Sequence, residues 1–189
     1  MPGERGTFLQ VVHTSREPVL RGLPAARKLF RAKSKTAQSL VAYLIKQGVL
    51  SDGMRIAHIR SDVGSFMLAI QQEFPNCQIH GFDYFDSNIR YARAQGLGDV
   101  AELDPARLCL LEEPGYDLVI CNHVMTHAFD PKADLKTLYR VIKPGGALFL
   151  YNEADHLLRF QPDSAHYQWV ALNNFHKQLL TSHSLNNFY

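Results

Sequence analysis

The feature that most constrains the fold of this chain is a regular alternation of short apolar runs with amphipathic segments. The apolar runs lie at 54–59, 77–83, 99–104, 116–122 and 146–153, and segments with a helical period lie at 34–50, 65–74, 85–96 and 132–142. Helices of about ten residues between strands allow crossover connections, which parallel strands require. The pattern therefore predicts an α/β fold built on a doubly wound, mostly parallel sheet that is covered on both faces.

The chain divides by composition into three expected segments. Residues 1–39 carry eight Lys or Arg against two Glu and predict a basic N-terminal arm or cap helices, residues 40–155 predict the α/β core, and residues 156–189 predict a C-terminal helical segment. The basic segment lacks the interleaved aromatic and basic residues typical of nucleic-acid surfaces. We therefore expect a solvated helix face or arm, and no nucleic-acid partner.

Apolar runs and cysteines indicate the compartment. No run approaches the roughly 18 residues of a membrane span, and the N-terminus lacks the apolar region of a signal peptide. The three cysteines are scattered and form no C-x-x-C pair, which argues against a zinc site and against a disulfide framework. We expect a soluble, cytoplasmic protein without membrane contact.

Candidate binding residues follow from the ends of the predicted strands, because open parallel sheets bind ligands beyond their carboxyl ends. The first strand runs into a turn at 60–64, and the later strands end at Asp83, Asp104 and residues 121–123. Asp83 lies about 20 residues after the turn, where nucleotide-binding sheets place the acid that hydrogen-bonds ribose hydroxyls. Asp83 is therefore the first candidate.

Two segments carry a family resemblance, "GSFMLAIQQEFPNCQIHGFDYFDSNIRYAR" and "YDLVICNHVMTHAFDPKADLKTLYRVIKPGGALFLYNEAD". They resemble the class I S-adenosylmethionine-dependent methyltransferases that act on small molecules, over roughly residues 36 to 155. The resemblance implies a Rossmann-like fold, S-adenosylmethionine as the cofactor, and a small-molecule acceptor methylated at O, N or C. It also implies that Asp83 holds the ribose of the cofactor. Tyr84 and Phe85 would then lie along the adenine, and Asp104 would reach the adenine amino group. Cys121 and Asn122 would lie beside the methionine portion.

The turn at 60–64 departs from the glycine-rich motif of that family, which has an acid, a spacer and three alternating glycines. Counting back from Asp83 places Gly64 at the third glycine, with His58 at the acid, Arg60 at the first glycine and Asp62 at the second. These four residues are the expected cofactor loop. A shifted register, in which Asp62 is the acid and Gly64 the first glycine, is the disfavoured alternative because it assigns two apolar helix residues to glycine positions, Phe66 and Leu68.

The departure changes the charge of the site. Arg60 would crowd the methionine end of the cofactor, and His58 in place of an acid removes attraction for the cationic sulfonium, whereas Asp62 restores one negative charge. Two functions therefore compete: a methyltransferase, and a catalytically inactive methyltransferase-like binding or interaction domain. A dinucleotide oxidoreductase is disfavoured because the dinucleotide fingerprint is absent.

His123 and His127 lie four residues apart after the fourth strand, near the expected methyl group. His127 is the candidate general base for a hydroxyl or carbon acid, with His123 beside it; a hydrogen bond from His127 to the backbone is the alternative role. We expect no metal, because no third ligand has suitable spacing.

The family fold usually closes with an antiparallel hairpin. We expect this hairpin to be absent or truncated here, because the sequence printed above stops at Tyr189. The fifth strand, 146–153, would then need cover from the C-terminal helices or from a second subunit, which makes a homo-oligomer an expectation.

Overall fold

The computed structural model describes residues 7–11, 23–103 and 115–151. The strands are β1 (Thr7–Val11), β2 (Arg55–Ile59), β3 (Gln78–Asp83), β4 (Val100–Glu102), β5 (Tyr116–Asn122) and β6 (Ile142–Tyr151). The helices are α1 (Leu23–Lys46), α2 (Ser65–Glu73), α3 (Asp86–Ala94) and α4 (Pro131–Val141), with a short 3-10 helix at Met125–His127. Strands β2 to β5 and helices α2 to α4 lie close to the predicted segments, whereas α1 begins before the predicted residue 34 and β6 begins before the predicted residue 146.

The strands form one sheet in the order β1-β6-β5-β2-β3-β4, and every adjacent pair is parallel. Strand β2 lies at the centre, where Ile56 pairs with Ile79 on one side and with Leu118 on the other. The chain runs from β2 outward to β3 and β4, and then returns to fill the other side with β5 and β6. The topological switch point, where such sheets bind ligands, is therefore between β2 and β5.

Apolar side chains cover both faces of the sheet, as the sequence predicted. One cluster joins the sheet to α1, α2 and α3, for example through Leu44, Phe66 and Ile89. The other lies under α4 and the 3-10 helix, with Leu138 and Met125 fully buried. The doubly wound α/β architecture is confirmed.

The N-terminal strand β1 was not predicted. It pairs in parallel with β6, from Thr7 opposite Ala147 to Val11 opposite Tyr151. The sheet edge that led us to expect a second subunit is thus hydrogen-bonded to the chain's own N-terminal strand, which removes that reason for an oligomer. Helix α1 also continues through the boundary that we expected between residues 39 and 40. Residues 7–11 therefore form a strand of the sheet, and residues 23–39 belong to a helix that packs on the sheet.

Several expectations lie outside the described residues: the helical segment 156–189, the closing hairpin, and Asp104. Within residues 7–11, 23–103 and 115–151, no helix is long and apolar enough to cross a membrane.

Candidate functional site

The turn after β2 has an unusual backbone. Arg60, Asp62 and Gly64 have φ angles of 57°, 51° and 80°, all in the left-handed region. These are the three positions that the favoured register assigns to glycines, whereas Phe66 of the shifted register lies inside α2. A left-handed conformation costs a residue with a Cβ about 1–2 kcal/mol. Two such residues in one turn at the switch point therefore mark a strained and candidate functional segment.

Asp83 organises this turn from the end of β3. Its side chain is buried, with 1% exposure. Oδ2 accepts a hydrogen bond from the backbone N–H of Asp62 at 2.8 Å, and Oδ1 accepts from the N–H of Phe85 at 2.9 Å and from Nδ2 of Asn88 at 3.3 Å. The carboxylate thus joins the loop after β2 to the start of α3. Asn88 was missed by the sequence analysis, because a lone Asn in a helix carries no signal of its partner.

The environment of Asp83 opposes its ionisation. Burial raises the pKa of the carboxyl to about 7, and the negative charge of Asp62 adds to the shift. The backbone donors and the Arg60 guanidinium act in the opposite direction. Near neutral pH, Asp83 is therefore partly protonated, and a cation nearby favours its charged form.

Asp62 and Asn122 join the turn to β5. Asn122, the last residue of β5, is 1% exposed and donates from Nδ2 to Oδ2 of Asp62 at 2.5 Å. The same amide lies 3.4 Å from the carbonyl oxygen of Arg60. Asp83, Asp62 and Asn122 therefore form one polar connection across β3, β2 and β5 at the carboxyl edge, and the structure brings these sequence candidates together.

Arg60 spans the same edge with its side chain. Its guanidinium donates from a terminal nitrogen to the carbonyl oxygen of His123 at 2.9 Å, and its Cζ lies 5.9 Å from the ring centroid of Tyr84. The rings of Tyr84 and Phe85 are in contact, with centroids 4.1 Å apart. Burial raises the pKa of Tyr84, and Arg60 opposes that shift. The guanidinium therefore lies between the segments that follow β3 and β5.

His58 lies elsewhere. It is 1% exposed, its Nε2 is 3.3 Å from the hydroxyl of Tyr151, and its ring packs edge-on against Phe66 with centroids 5.5 Å apart. Phe149 and Tyr151 complete this aromatic cluster on the side of α1 and α2. The structure therefore gives His58 a place in the core beneath the turn, apart from the polar edge. Tyr151, its partner, was not identified from the sequence.

The remaining candidates lie after or within β5. The rings of His123 and His127 have centroids 5.2 Å apart, and both side chains are half-buried. His123 is the third left-handed residue with a Cβ, at φ 56°. Cys121 is fully buried in the apolar cluster under α4, so its backbone is the part that borders the site. In the described part of the chain, no group of three or more metal-ligating side chains is present.

The chain is similar to known methyltransferases. Residues 59–148 match the family model described as "Methyltransferase domain". The ubiquinone biosynthesis O-methyltransferase of Bordetella pertussis is 26% identical, over 54% of this chain and 50% of that protein. A similar relative from Idiomarina loihiensis is 24% identical, over 47% of this chain and 44% of its own. The chain spans about half the length of the curated relatives it matches.

Solved structures share the fold. An O-methyltransferase-like protein of Nostoc punctiforme superposes with a TM-score of 0.67 and 19% identity, over 86% of this chain and 51% of that one. Phosphoethanolamine N-methyltransferase 2 of Haemonchus contortus, solved with S-adenosyl-L-methionine, superposes with a TM-score of 0.59 and 20% identity, over 78% and 34%. These likenesses concern the fold. Together with the sequence match at residues 59–148, they show that this part of the chain is similar to methyltransferase domains and shares their Rossmann-like fold.

Proposed function

We propose that the chain binds S-adenosylmethionine along the carboxyl ends of β3, β2 and β5 and transfers its methyl group to a small molecule. The observation that carries the proposal is Asp83, buried at the end of β3 and bonded to the left-handed turn after β2. Among O, N and C acceptors we favour a hydroxyl oxygen, following the O-methyltransferases among the relatives. The free thiols of Cys77 and Cys121 agree with a cytoplasmic location.

The acceptor capacity of Asp83 allows one ribose contact. An ionised carboxylate offers about four lone-pair sites. Three are used by the donors from Asp62, Phe85 and Asn88, which leaves one site on Oδ2. A ribose hydroxyl can take that site, so the residues present fit the group. Because Asp83 is 1% exposed, its neighbours must move aside for the ligand.

The chemistry needs few protein groups. When bound, the cofactor would supply a methyl group carried on a sulfonium. We assign the proton of a hydroxyl acceptor to His127, with His123 beside it at a ring distance of 5.2 Å. The buried Asp62–Asn122 bond holds β2 and β5 at a fixed spacing, which keeps the reacting groups oriented.

Calorimetric titration with S-adenosylmethionine and S-adenosylhomocysteine tests the proposal. We expect binding by the wild type and a loss of at least about tenfold in Asp83→Asn, because the amide cannot replace a carboxylate acceptor. Asp86→Asn is the matched control, since Asp86 lies three residues away, is exposed and pairs with Arg90. Circular dichroism confirms that each variant is folded. If the folded wild type binds neither ligand at millimolar concentration, the proposal is wrong.

One observation favours a second candidate, a methyltransferase-like domain that binds a partner without catalysis. Arg60 donates a hydrogen bond to the carbonyl of His123 and lies near the ring of Tyr84, so its side chain already connects the segments between which the cofactor would bind. The same titration separates the two functions, because this candidate predicts a folded wild type with no response to either ligand.

A further inference from the structure

The buried carboxyl of Asp83 accepts hydrogen bonds from two backbone groups and from one side chain. The backbone donors are the N–H groups of Asp62 and Phe85, which stay in place whatever side chains those residues carry. The side-chain donor is Nδ2 of Asn88, 3.3 Å from Oδ1 of Asp83. Both partners of this bond are buried, with Asn88 4% and Asp83 1% exposed. In the described part of the chain, Asn88 is therefore the one side chain that hydrogen-bonds this carboxyl.

Helix α3 fixes the place of Asn88. The backbone N–H of Asn88 donates to the carbonyl oxygen of Phe85 at 2.9 Å, so the residue lies in the first turn of the helix. Helical side chains lean toward the N-terminus of their helix, which directs this amide toward the end of β3. Ile89 and Ala92 bury the same helix in the core. The amide is thus held beside the carboxyl.

Groups with opposing effects on ionisation surround the carboxyl of Asp83. Burial and the negative charge of Asp62 favour the protonated form, whereas Arg60 and the backbone donors favour the charged form, and the pKa is raised to about 7. Burial raises the pKa of the adjacent Tyr84, so its hydroxyl is neutral here. Glu102, which pairs with Asp83 in the β3–β4 register, is exposed. Because the two forms of Asp83 are nearly balanced, the loss of one donor to the carboxylate should shift the balance toward the protonated form.

The two oxygens of Asp83 differ in the number of donors they face. Oδ1 accepts from Phe85 and Asn88, whereas Oδ2 accepts from Asp62. A proton on the carboxyl therefore goes to Oδ2, which is also the oxygen that has a lone pair left for the ribose hydroxyl. We propose that Asn88 is a positioning residue, whose amide orients Asp83 and keeps it in the charged form that accepts the ribose. The inference rests on the proposed function. It implies that cofactor binding releases the proton of Asp83 to solvent.

Calorimetric titration of the full chain with S-adenosylhomocysteine between pH 5 and 9 tests the inference. Asn88→Leu keeps the size of the side chain and removes the donor, so we expect the pH midpoint of binding to rise by about one unit. The affinity should then be about fivefold lower than in the wild type at pH 7 and nearly equal to it at pH 9. Asn88→Gln keeps an amide donor and should restore part of the affinity at pH 7. An equal loss at every pH would show a merely structural role and would overturn the inference.

Asn76→Leu is the matched control. Nδ2 of Asn76 donates to Oδ2 of Asp52 at 2.7 Å, which is the same kind of hydrogen bond between the segments that precede β3 and β2. This variant should bind as the wild type does at every pH. Circular dichroism confirms that each variant is folded, and Asn88→Ala replaces Asn88→Leu if the larger side chain prevents folding.

Carbon-13 NMR of the Asp83 carboxyl separates the inference from the proposed function, because it needs no ligand. We expect the titration midpoint of this carboxyl to be about one pH unit higher in Asn88→Leu than in the wild type. Equal midpoints overturn the inference, and the proposed function stands if both proteins bind the ligand. If the midpoints differ but the folded wild type binds no ligand, the proposed function is overturned, and the role of Asn88 in binding is overturned with it.

Discussion

At the scale of single residues, the site depends on two carboxyls that share one buried edge. Asp83 accepts the backbone N–H of Asp62, and the side chain of Asp62 accepts the amide of Asn122. The backbone donor favours the charged form of Asp83, whereas burial and the charge of Asp62 favour the protonated form. Burial and the charge of Asp62 prevail and raise the pKa of Asp83 to about 7. The ionisation of this pair therefore contributes to both stability and binding.

The raised pKa of Asp83 predicts a stability that falls as pH rises. Between about pH 4 and 7 the folded protein holds a proton on Asp83 that the unfolded chain has released, so the free energy of unfolding decreases across this window. From pH 5 to 8 the loss should be on the order of 2 kcal/mol relative to Asp83→Asn, which cannot titrate. Urea unfolding of both proteins at several pH values measures it. Parallel pH profiles would contradict the assignment.

Glycine substitutions at the two left-handed residues should differ in effect. Arg60→Gly and Asp62→Gly both relieve backbone strain, so the difference between them reports the side-chain contacts. Asp62→Gly removes the buried hydrogen bond from Asn122, whereas Arg60→Gly loses a partly buried hydrogen bond. The free energy of unfolding of Asp62→Gly should therefore be about 1–3 kcal/mol lower than that of Arg60→Gly. Measurement at pH 5 keeps Asp83 protonated and excludes carboxyl repulsion. Equal stabilities would show that the Asp62–Asn122 bond contributes nothing.

At the scale of elements, the turn after β2 is held in place by α3 and the residues that follow it. A Cβ on Gly64 would overlap Cδ1 of Leu97 and lie 3.1 Å from Cβ of Ala92. The end of α3 therefore packs directly against the start of α2. Such close packing requires glycine for its size as well as for its φ of 80°. The turn after β2 and α3 therefore form one packed unit.

Two alanine substitutions separate size from backbone conformation. Gly64 and Gly96 both have a positive φ, 80° and 91°, but a Cβ on Gly96 has nothing within 4 Å. Both variants should lose stability from backbone strain, and Gly64→Ala should lose about 1–3 kcal/mol more because of overpacking. Thermal unfolding of the two variants checks this expectation. A loss in Gly64→Ala no greater than that in Gly96→Ala would mean that the turn is loosely packed.

Most elements could be predicted because their signals are local. The strand and helix periods, and the strand end at Asp83, are properties of neighbouring residues. The strand β1 was missed because its five residues are too few to give a clear period. Its partner β6 lies more than 130 residues away in the chain, from Thr7 to Ala147, and only pairing reveals it.

At the scale of the whole molecule, β1 adds a strand beside β6 and becomes the edge strand of the sheet. Leu9 pairs with Phe149 and Gln10 with Leu150. Adjacent backbone N–H groups of a strand point to opposite sides, so one of these two residues donates toward β6 and the other points away. Proline removes the N–H donor. One of the two variants, Leu9→Pro or Gln10→Pro, should therefore lower the free energy of unfolding and increase self-association of the protein, and the other should have a smaller effect. Denaturant unfolding and analytical ultracentrifugation measure both. Two unaffected variants would show that the strand is not paired.

The alternating α/β architecture, the parallel sheet and the position of Asp83 at a strand end could all be predicted from local signals, because periodicity and turn residues encode these features. Only the tertiary structure showed His58 in the aromatic core, Asp62 bound to Asn122, and Arg60 joined to the segment after β5. The physical reason is distance along the chain. These contacts join residues 60 to 93 positions apart, and the side chains meet only because the sheet places the ends of β2, β5 and β6 side by side.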